Sequence, residues 1–288
     1  MPNIDLEAQD RVSAFRRVAI GTWRTTHDPQ IYGGLTLRME EALRYIEAFR
    51  EATGKRLTVT HLVGKAVAMA LAEVPGANVL LRFNRPYRRR RVHVFFSVML
   101  PKGDGGDADL SGVRLEDVDR KSLVELVDEL DTHLLRVRSG KDEVLERSRS
   151  AFSRIPYPLL NAAIDFISLA CYGLNLDLSR LGIPNDPFGS VVVTNIGSLG
   201  LDEGYAPLIP YCRAPILVAV GAVGDTPVVQ NGKVRPAKTM RVQATLDHRL
   251  IDGAHAAALA RVLRAWLEQP FQHFDALGTP SRPVTRIR

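Results

Sequence analysis

The feature that most constrains this chain is a strand-like apolar run from Met240 to Leu246 that passes through Asp247-His248-Arg249-Leu250-Ile251-Asp252-Gly253-Ala254 into a helix-like stretch, Ala256-Ala257-Ala258-Leu259-Ala260-Arg261-Val262-Leu263. A strand that gives way to a helix within so few residues makes a rigid corner. It sets His248 at the end of the strand and Asp252 at the opening of the helix. Asp252, just ahead of Gly253, is a natural N-cap for the first free backbone N–H groups of that helix. A neutral imidazole at such a corner can take a proton from a thiol or a hydroxyl, and the corner decides where it points. Read without its surroundings, the same histidine fits a plainer role, a core imidazole satisfied by backbone.

Strands and helices are mixed along the rest of the chain. Residues 10–26 look helical, Ile31 to Met39 alternates like a strand, and Glu40 to Thr53 carries Leu43, Ile46 and Phe49 at helical spacing before Gly54. Thr60 is placed to cap a helix from His61 to Val74 whose alanines (Ala66, Ala68, Ala70, Ala72) predict close packing. Arg91 to Leu100 reads as a buried strand, and Lys121-Ser122 opens a helix through Leu123, Leu126, Val127, Leu130 and Leu134 to Gly140. Gly189 to Ile196, Ala214 to Val223 and Met240 to Leu246 read as strands, and Gly253 to Leu267 as the closing helix. This order predicts an α/β sandwich in a single domain.

Composition narrows the function classes. With 288 residues, 45% hydrophobic and 24% charged, the chain can bury a real core and has the balance of a soluble globular protein. Its net charge of +6 suits an anionic ligand without demanding nucleic acid. Cys171 and Cys212 have no C-x-x-C spacing, which argues against a disulfide framework and against a zinc site, so no metal is expected and a reducing cytoplasm fits. The opening residues, Met1 to Glu7, are polar and acidic and do not read as a secretory signal.

The H-x-x-x-D-G pattern of His248, Asp252 and Gly253 resembles the active-site signature of chloramphenicol acetyltransferases and of the catalytic core of 2-oxo acid dehydrogenase acyltransferase subunits. Four further segments are similar to that family in the same order: Arg16-Arg17-Val18-Ala19-Ile20, Leu57 to Ala66 running on to Val74-Pro75-Gly76-Ala77-Asn78, Asp119-Arg120-Lys121-Ser122-Leu123, and Val193-Thr194-Asn195-Ile196-Gly197-Ser198-Leu199-Gly200. The resemblance implies a chloramphenicol acetyltransferase-like two-layer sandwich with a mixed β-sheet, working as a homotrimer with active sites at subunit interfaces. It implies an acyl transfer between a coenzyme A thioester and a dihydrolipoyl-type thiol or another small acceptor. His248 would then be the general base and Thr194 the oxyanion donor. Arg16 would pair with Asp252 to hold the corner in shape, while Asn195 and Gly197 shape the turn after Thr194. No residue is assigned to coenzyme A.

The chain also departs from that family. No lipoyl or partner-binding domain is expected before a core that begins near residue 10, so any lipoyl group would come from another chain, a lipoylated carrier protein. Residues 143–186 read as an insertion, with Arg147, Arg149 and Arg154 ahead of an apolar run from Ile155 to Gly173 that Asp165 interrupts. That run is short for a membrane span. It predicts an inserted helical segment that packs on the trimer or lids the channel, with peripheral membrane contact left open. The tail from Gln272 to Arg288 is polar and lacks the apolar segment through which the family's trimers join, which predicts an isolated trimer. Six arginines between Arg82 and Arg91 could grip coenzyme A phosphates, an acidic carrier face or nucleic acid, or form a solvated face; nucleic acid is not expected. The competing reading is a catalytically inactive trimeric scaffold that kept the fold.

Overall fold

The structure is a computed structural model that describes residues 3–8, 29–100, 109–138 and 156–277. Its strands are β1 (Leu6–Ala8), β2 (Gln30–Arg38), β3 (Val79–Arg82), β4 (Arg85–Arg89), β5 (Val94–Leu100), β6 (Asp109–Leu115), β7 (Val191–Asn195), β8 (Ile216–Gln230) and β9 (Lys233–Asp247). Its α-helices are α1 (Glu40–Thr53), α2 (Val59–Glu73), α3 (Leu123–Arg138), α4 (Leu160–Ser168), α5 (Gly253–Glu268) and α6 (Pro270–His273). Six strands form the main sheet in the order β2-β9-β8-β7-β5-β6, parallel across β5/β7/β8 and antiparallel elsewhere.

Alternation along the strands divides the sheet into two faces. Val191, Val193, Ile216, Val218, Met240, Val242 and Leu246 face the helical layer, where they pack with Tyr45, Phe49, Leu62, Leu126 and Leu263 in one core. Their neighbours Val192 and Leu217 point the other way and are covered by Phe188, Ala206, Leu208 and Cys212. Helix α2 lies so close to the sheet that a Cβ on Gly64 would stand 2.3 Å from the Phe96 ring, which explains a glycine in mid-helix.

The helix ends follow local chemistry. Gly54 closes α1 in the left-handed region, φ 70°, with its N–H on the Arg50 carbonyl. The cap of α2 is Thr58, not Thr60: His61 stands at the third helical position of a capping box, its Nδ1 taking the Thr58 N–H at 3.1 Å. Ser122 and Glu125 make the equivalent box at the start of α3, and the carboxylate of Asp275 accepts the Leu123 N–H at 2.7 Å. The polar tail therefore begins later than residue 272, because Phe274 is buried in the core and Asp275 ties the chain to both α3 and Tyr45.

The arginine run is largely a strand. Residues 79–89 form the β3–β4 hairpin, which β1 extends to a three-stranded sheet. Alternation buries Arg89 against Asp186 in a two-pronged pair, one prong 3.1 Å long, while Arg91 grips Asp117 and Arg90 meets Asp5. The pairing takes Arg89 out of solvent, while Arg85, Arg88, Arg90 and Arg91 stay exposed. The inserted segment packs Cys171 and Tyr172 against Leu80 and Ile4, a small core beside this sheet. No helix among the described residues is long and apolar enough to cross a membrane.

Candidate active site

The corner after β9 is held by three sets of bonds. The His248 N–H donates to the Pro29 carbonyl at 2.8 Å, so the corner is pinned to the start of β2. The N–H groups of Leu250 and Ile251 both donate to the Asp247 carbonyl, at 3.0 and 2.8 Å. Between them, the Arg249 guanidinium clasps the Asp247 carboxylate with both prongs, Nε at 2.9 Å and Nη2 at 2.6 Å, and the Arg249 N–H adds a further bond to the same carboxylate. Both side chains are only 8% exposed. Residues 247 and 249 share a side because they flank His248, and their clasp closes over the turn that carries the imidazole.

His248 itself is half-buried, and its Nδ1 lies 3.0 Å from the Ile251 carbonyl oxygen. A carbonyl can only accept, so the neutral ring carries its proton on Nδ1 and presents the Nε2 lone pair. Asp252 caps α5 as expected, its Oδ1 accepting the His255 N–H at 3.0 Å and standing 2.7 Å from the His255 Nδ1. The other side of the His255 ring lies against Gly76, where a Cβ would stand 3.0 Å from Nε2. Gly253 opens α5, and a Cβ added there would meet nothing within 4 Å. Arg16, the expected partner of Asp252, lies outside the described residues.

Thr194 stands one residue before the end of β7, on the face turned away from the helices, the side of Val192. Asn195 organises the turn that follows: its Nδ2 donates to Thr60 Oγ1 at 2.8 Å and its Oδ1 accepts the Ser198 N–H at 3.0 Å. Thr60, freed from capping α2, serves this turn instead. Gly197 is packed against the Gly221–Ala222 backbone, where a Cβ would come within 2.5 Å.

Register fixes how far apart Thr194 and His248 lie within one chain. Thr194 pairs with Ala219 on β8, and Ala219 pairs with Gln243 on β9. His248 is two strands across and five residues along from Thr194. Strand spacing and rise convert this to about 19 Å. One chain therefore does not bring the two side chains together, although it brings together His248, Asp252 and the Asp247–Arg249 clasp.

Two features were missed from the sequence. The Asp247–Arg249 clasp had a visible signal, opposite charges on either side of the histidine at the end of an apolar strand. The second is Arg213, just ahead of β8, which donates to Ser168 Oγ at 3.3 Å and to the Leu81 carbonyl at 3.0 Å. Burial, opposed by the Tyr172 side chain and assisted by the Arg249 charge, holds its guanidinium below the usual value. Arg213 thus ties the inserted segment to the end of the sheet that carries His248. Burial pushes the Cys212 thiol up to about 12 and raises that of Cys171, which disfavours the thiolate at both. Among the described residues, no group of three or more histidines, cysteines or carboxylates stands together as a metal site. A cavity of about 270 Å³ under the sheet is lined by aliphatic side chains of α2, α5 and β9, among them Val67, Leu246 and Leu263, and brings no ionisable group to the corner.

With this geometry in hand, comparison with known proteins is direct. Residues 9–153 and 187–274 match the family described as 2-oxoacid dehydrogenases acyltransferase (catalytic domain), and the match skips residues 154–186. A dihydrolipoyllysine-residue acetyltransferase component of the acetoin cleaving system of Bacillus subtilis is 26% identical over 220 residues, 76% of this chain and 44% of the relative. The corresponding component of the pyruvate dehydrogenase complex of Rhizobium meliloti is 26% identical over 215 residues, 75% of this chain and 38% of the relative. The chain thus spans less than half the length of these curated relatives. Among solved structures, a probable dihydrolipoamide acetyltransferase from Listeria monocytogenes superposes with a TM-score of 0.62 over 94% of this chain and 98% of that one, at 17% identity. The cubic core of a pyruvate dehydrogenase multienzyme complex gives 0.63 over 92% and 93%, at 20% identity, and a chloramphenicol acetyltransferase gives 0.51 over 91% and 100%, at 14%. The fold is therefore the chloramphenicol acetyltransferase-like sandwich, and the chain belongs to the family of 2-oxoacid dehydrogenase acyltransferase catalytic domains.

Proposed function

We propose that this protein is a coenzyme A-dependent acyltransferase that moves an acyl group between a coenzyme A thioester and a dihydrolipoyl-type thiol carried on another chain. The observation that carries the reading is the bond between His248 Nδ1 and the Ile251 carbonyl, which leaves Nε2 as the basic nitrogen on a braced corner. A thiol with an ordinary pKa of about 8.5 is mostly protonated at neutral pH. His248 Nε2 takes that proton as the sulfur attacks the thioester carbonyl carbon. The Thr194 hydroxyl donates to the oxygen that becomes negative. When the carbon–sulfur bond of the thioester breaks, the imidazolium returns its proton to the departing thiolate, and the base is restored. Asp252 works at one remove, through the start of α5.

The separation of about 19 Å between Thr194 and His248 in one chain supports a homotrimer in which the threonine of one copy meets the histidine of the next. The printed names of the relatives, dihydrolipoyllysine-residue acetyltransferase components, support the acceptor class. The deciding experiment follows acyl transfer from acetyl-CoA to dihydrolipoamide for wild type and His248→Ala, with coenzyme A binding measured alongside. The expected loss in kcat is about 10²–10⁴-fold with binding retained. Undiminished transfer by His248→Ala would remove the histidine from the chemistry. A wild-type protein that neither transfers nor binds coenzyme A would be the trimeric scaffold.

A further inference from the structure

Two apolar features that the acyl-transfer chemistry does not use lie side by side on the surface. The first is the β3–β4 turn, Arg82-Phe83-Asn84-Arg85, in which Phe83 and Asn84 both have positive φ, 48° and 59°. A two-residue hairpin turn with both central residues left-handed favours asparagine and glycine. A phenylalanine there bears the steric cost of that conformation, and its ring is 63% exposed, so burial does not offset the cost.

The second is the outer side of α4 and the turns on either side of it. Inward, Ile164, Ile167, Ser168 and Cys171 recur at helical spacing and are buried or half-buried. A surface helix then normally shows polar residues outward. Here the outward positions include Leu159, Ala162, Phe166 and Leu169, all exposed, with Phe166 at 69%, and the polar Asn161 and Asp165 are exposed among them. The helix carries one carboxylate, Asp165. The segment lies within residues 154–186, which the family match skips.

The two features meet over Gly173, where a Cβ would stand 2.8 Å from Leu169 Cδ1 and 3.4 Å from the Phe83 ring. The guanidinium of Arg82 lies 5.9 Å from the centre of the Phe83 ring and 5.7 Å from that of Tyr87, and Arg85 lies 5.8 Å from the Tyr87 ring. The result is an apolar ridge with guanidinium groups along its rim. If this face paired with itself across a two-fold axis, like charges would be opposed, which argues against a two-fold pair of copies as its occupant. Aromatic and leucine side chains beside arginines are the pattern that sits in the headgroup boundary of an anionic bilayer.

We propose that the Phe83 turn and the outer side of α4 form a docking face for an anionic lipid bilayer, with Phe83, Phe166 and Leu169 entering the headgroup boundary and Arg82 and Arg85 meeting lipid phosphates. The inference does not depend on the acyl-transfer reading. It is tested by flotation of the full chain with sealed vesicles of phosphatidylcholine and of phosphatidylcholine mixed with phosphatidylserine. Wild type is expected to float with the anionic vesicles at least about tenfold better than with the neutral ones, and less well as salt rises. The pair Phe83→Asn and Phe166→Ser is expected to lower that binding about tenfold or more, and Arg85→Glu by about fivefold or more. Phe83→Asn suits the turn, so its melting temperature should not fall, which separates lost docking from lost folding. Wild type that stays unbound with both vesicle types overturns the proposal, as does flotation that survives the paired substitution. Larger species in sedimentation that disappear with that pair, without any flotation of wild type, would assign the face to protein contact and equally overturn it.

Discussion

Replacing Arg249 by methionine tests whether the clasp on Asp247 is what holds the corner that carries His248. The substitution keeps most of the side-chain volume and removes the two prongs at 2.9 and 2.6 Å, leaving a carboxylate with 8% exposure without its counter-charge. Removing one member of a buried pair costs about 3–5 kcal/mol, because the other charge stays desolvated. For a domain of this size each kcal/mol moves the melting temperature by about 2–4 °C, so a fall of roughly 6–20 °C is expected. The turn also loses its brace, and a displacement of the imidazole by about 1 Å costs about 10²-fold in rate. That loss should fall on kcat in the transfer from acetyl-CoA to dihydrolipoamide, with KM for acetyl-CoA little changed. The double variant Asp247→Leu, Arg249→Met removes both charges and should recover most of the stability. It should not recover kcat, because the Asp247 carboxylate also accepts the N–H of residue 249. If Arg249→Met melts within about 2 °C of wild type and turns over at the wild-type rate, the clasp does not hold the corner and the reasoning fails.

Two further outcomes follow from the same packing. Burial holds His61 and His93 down to about 4, outweighing the nearby Asp131 at His61 and reinforced by Arg114 at His93, so both are neutral in the folded protein at neutral pH. The unfolded chain binds protons near the ordinary value of about 6.5, so stability is present above that pH and is lost as pH falls toward about 4. Thermal melts across that window should show it, with up to about 3 kcal/mol from His61 alone, and His61→Gln should flatten the slope. Gly197→Ala brings a Cβ within 2.5 Å of the Gly221–Ala222 backbone, so it should cost about 1–3 kcal/mol in urea unfolding and lower acyl transfer by displacing the Thr194 turn. Wild-type stability and rate in that variant would show that the contact is slack.

The strands and helices around the corner were legible because their signals are local. The alternation of β2, the helical spacing and glycine stop of α1, and the aspartate cap of α5 each act over a few residues, and each element stands within one or two residues of its expected place. Strands β8 and β9 run much further than the expected Ala214–Val223 and Met240–Leu246, forming a ribbon from residue 216 to residue 247. Pro227 and Pro236 hid the extension, yet they sit opposite one another where the ribbon has left the sheet and no third strand needs the N–H that proline lacks. The burial of Arg89 within the arginine run was illegible for a different reason. Whether Arg89 is solvated depends on Asp186, nearly a hundred residues later, and no local pattern encodes a long-range ion pair. The same holds for Arg213, whose partners lie on the inserted segment and on β3.

The distance between Thr194 and His248 also has a genetic consequence. In a trimer whose sites are each shared by two neighbours, a copy that has lost its histidine still offers a sound threonine, and a copy that has lost its threonine still offers a sound histidine. Assembled together, the two kinds of copy meet in at least one intact junction in every mixed ring. Two alleles that are each silent alone would then complement one another, and enzyme activity would be inherited as a property of interfaces rather than of polypeptides.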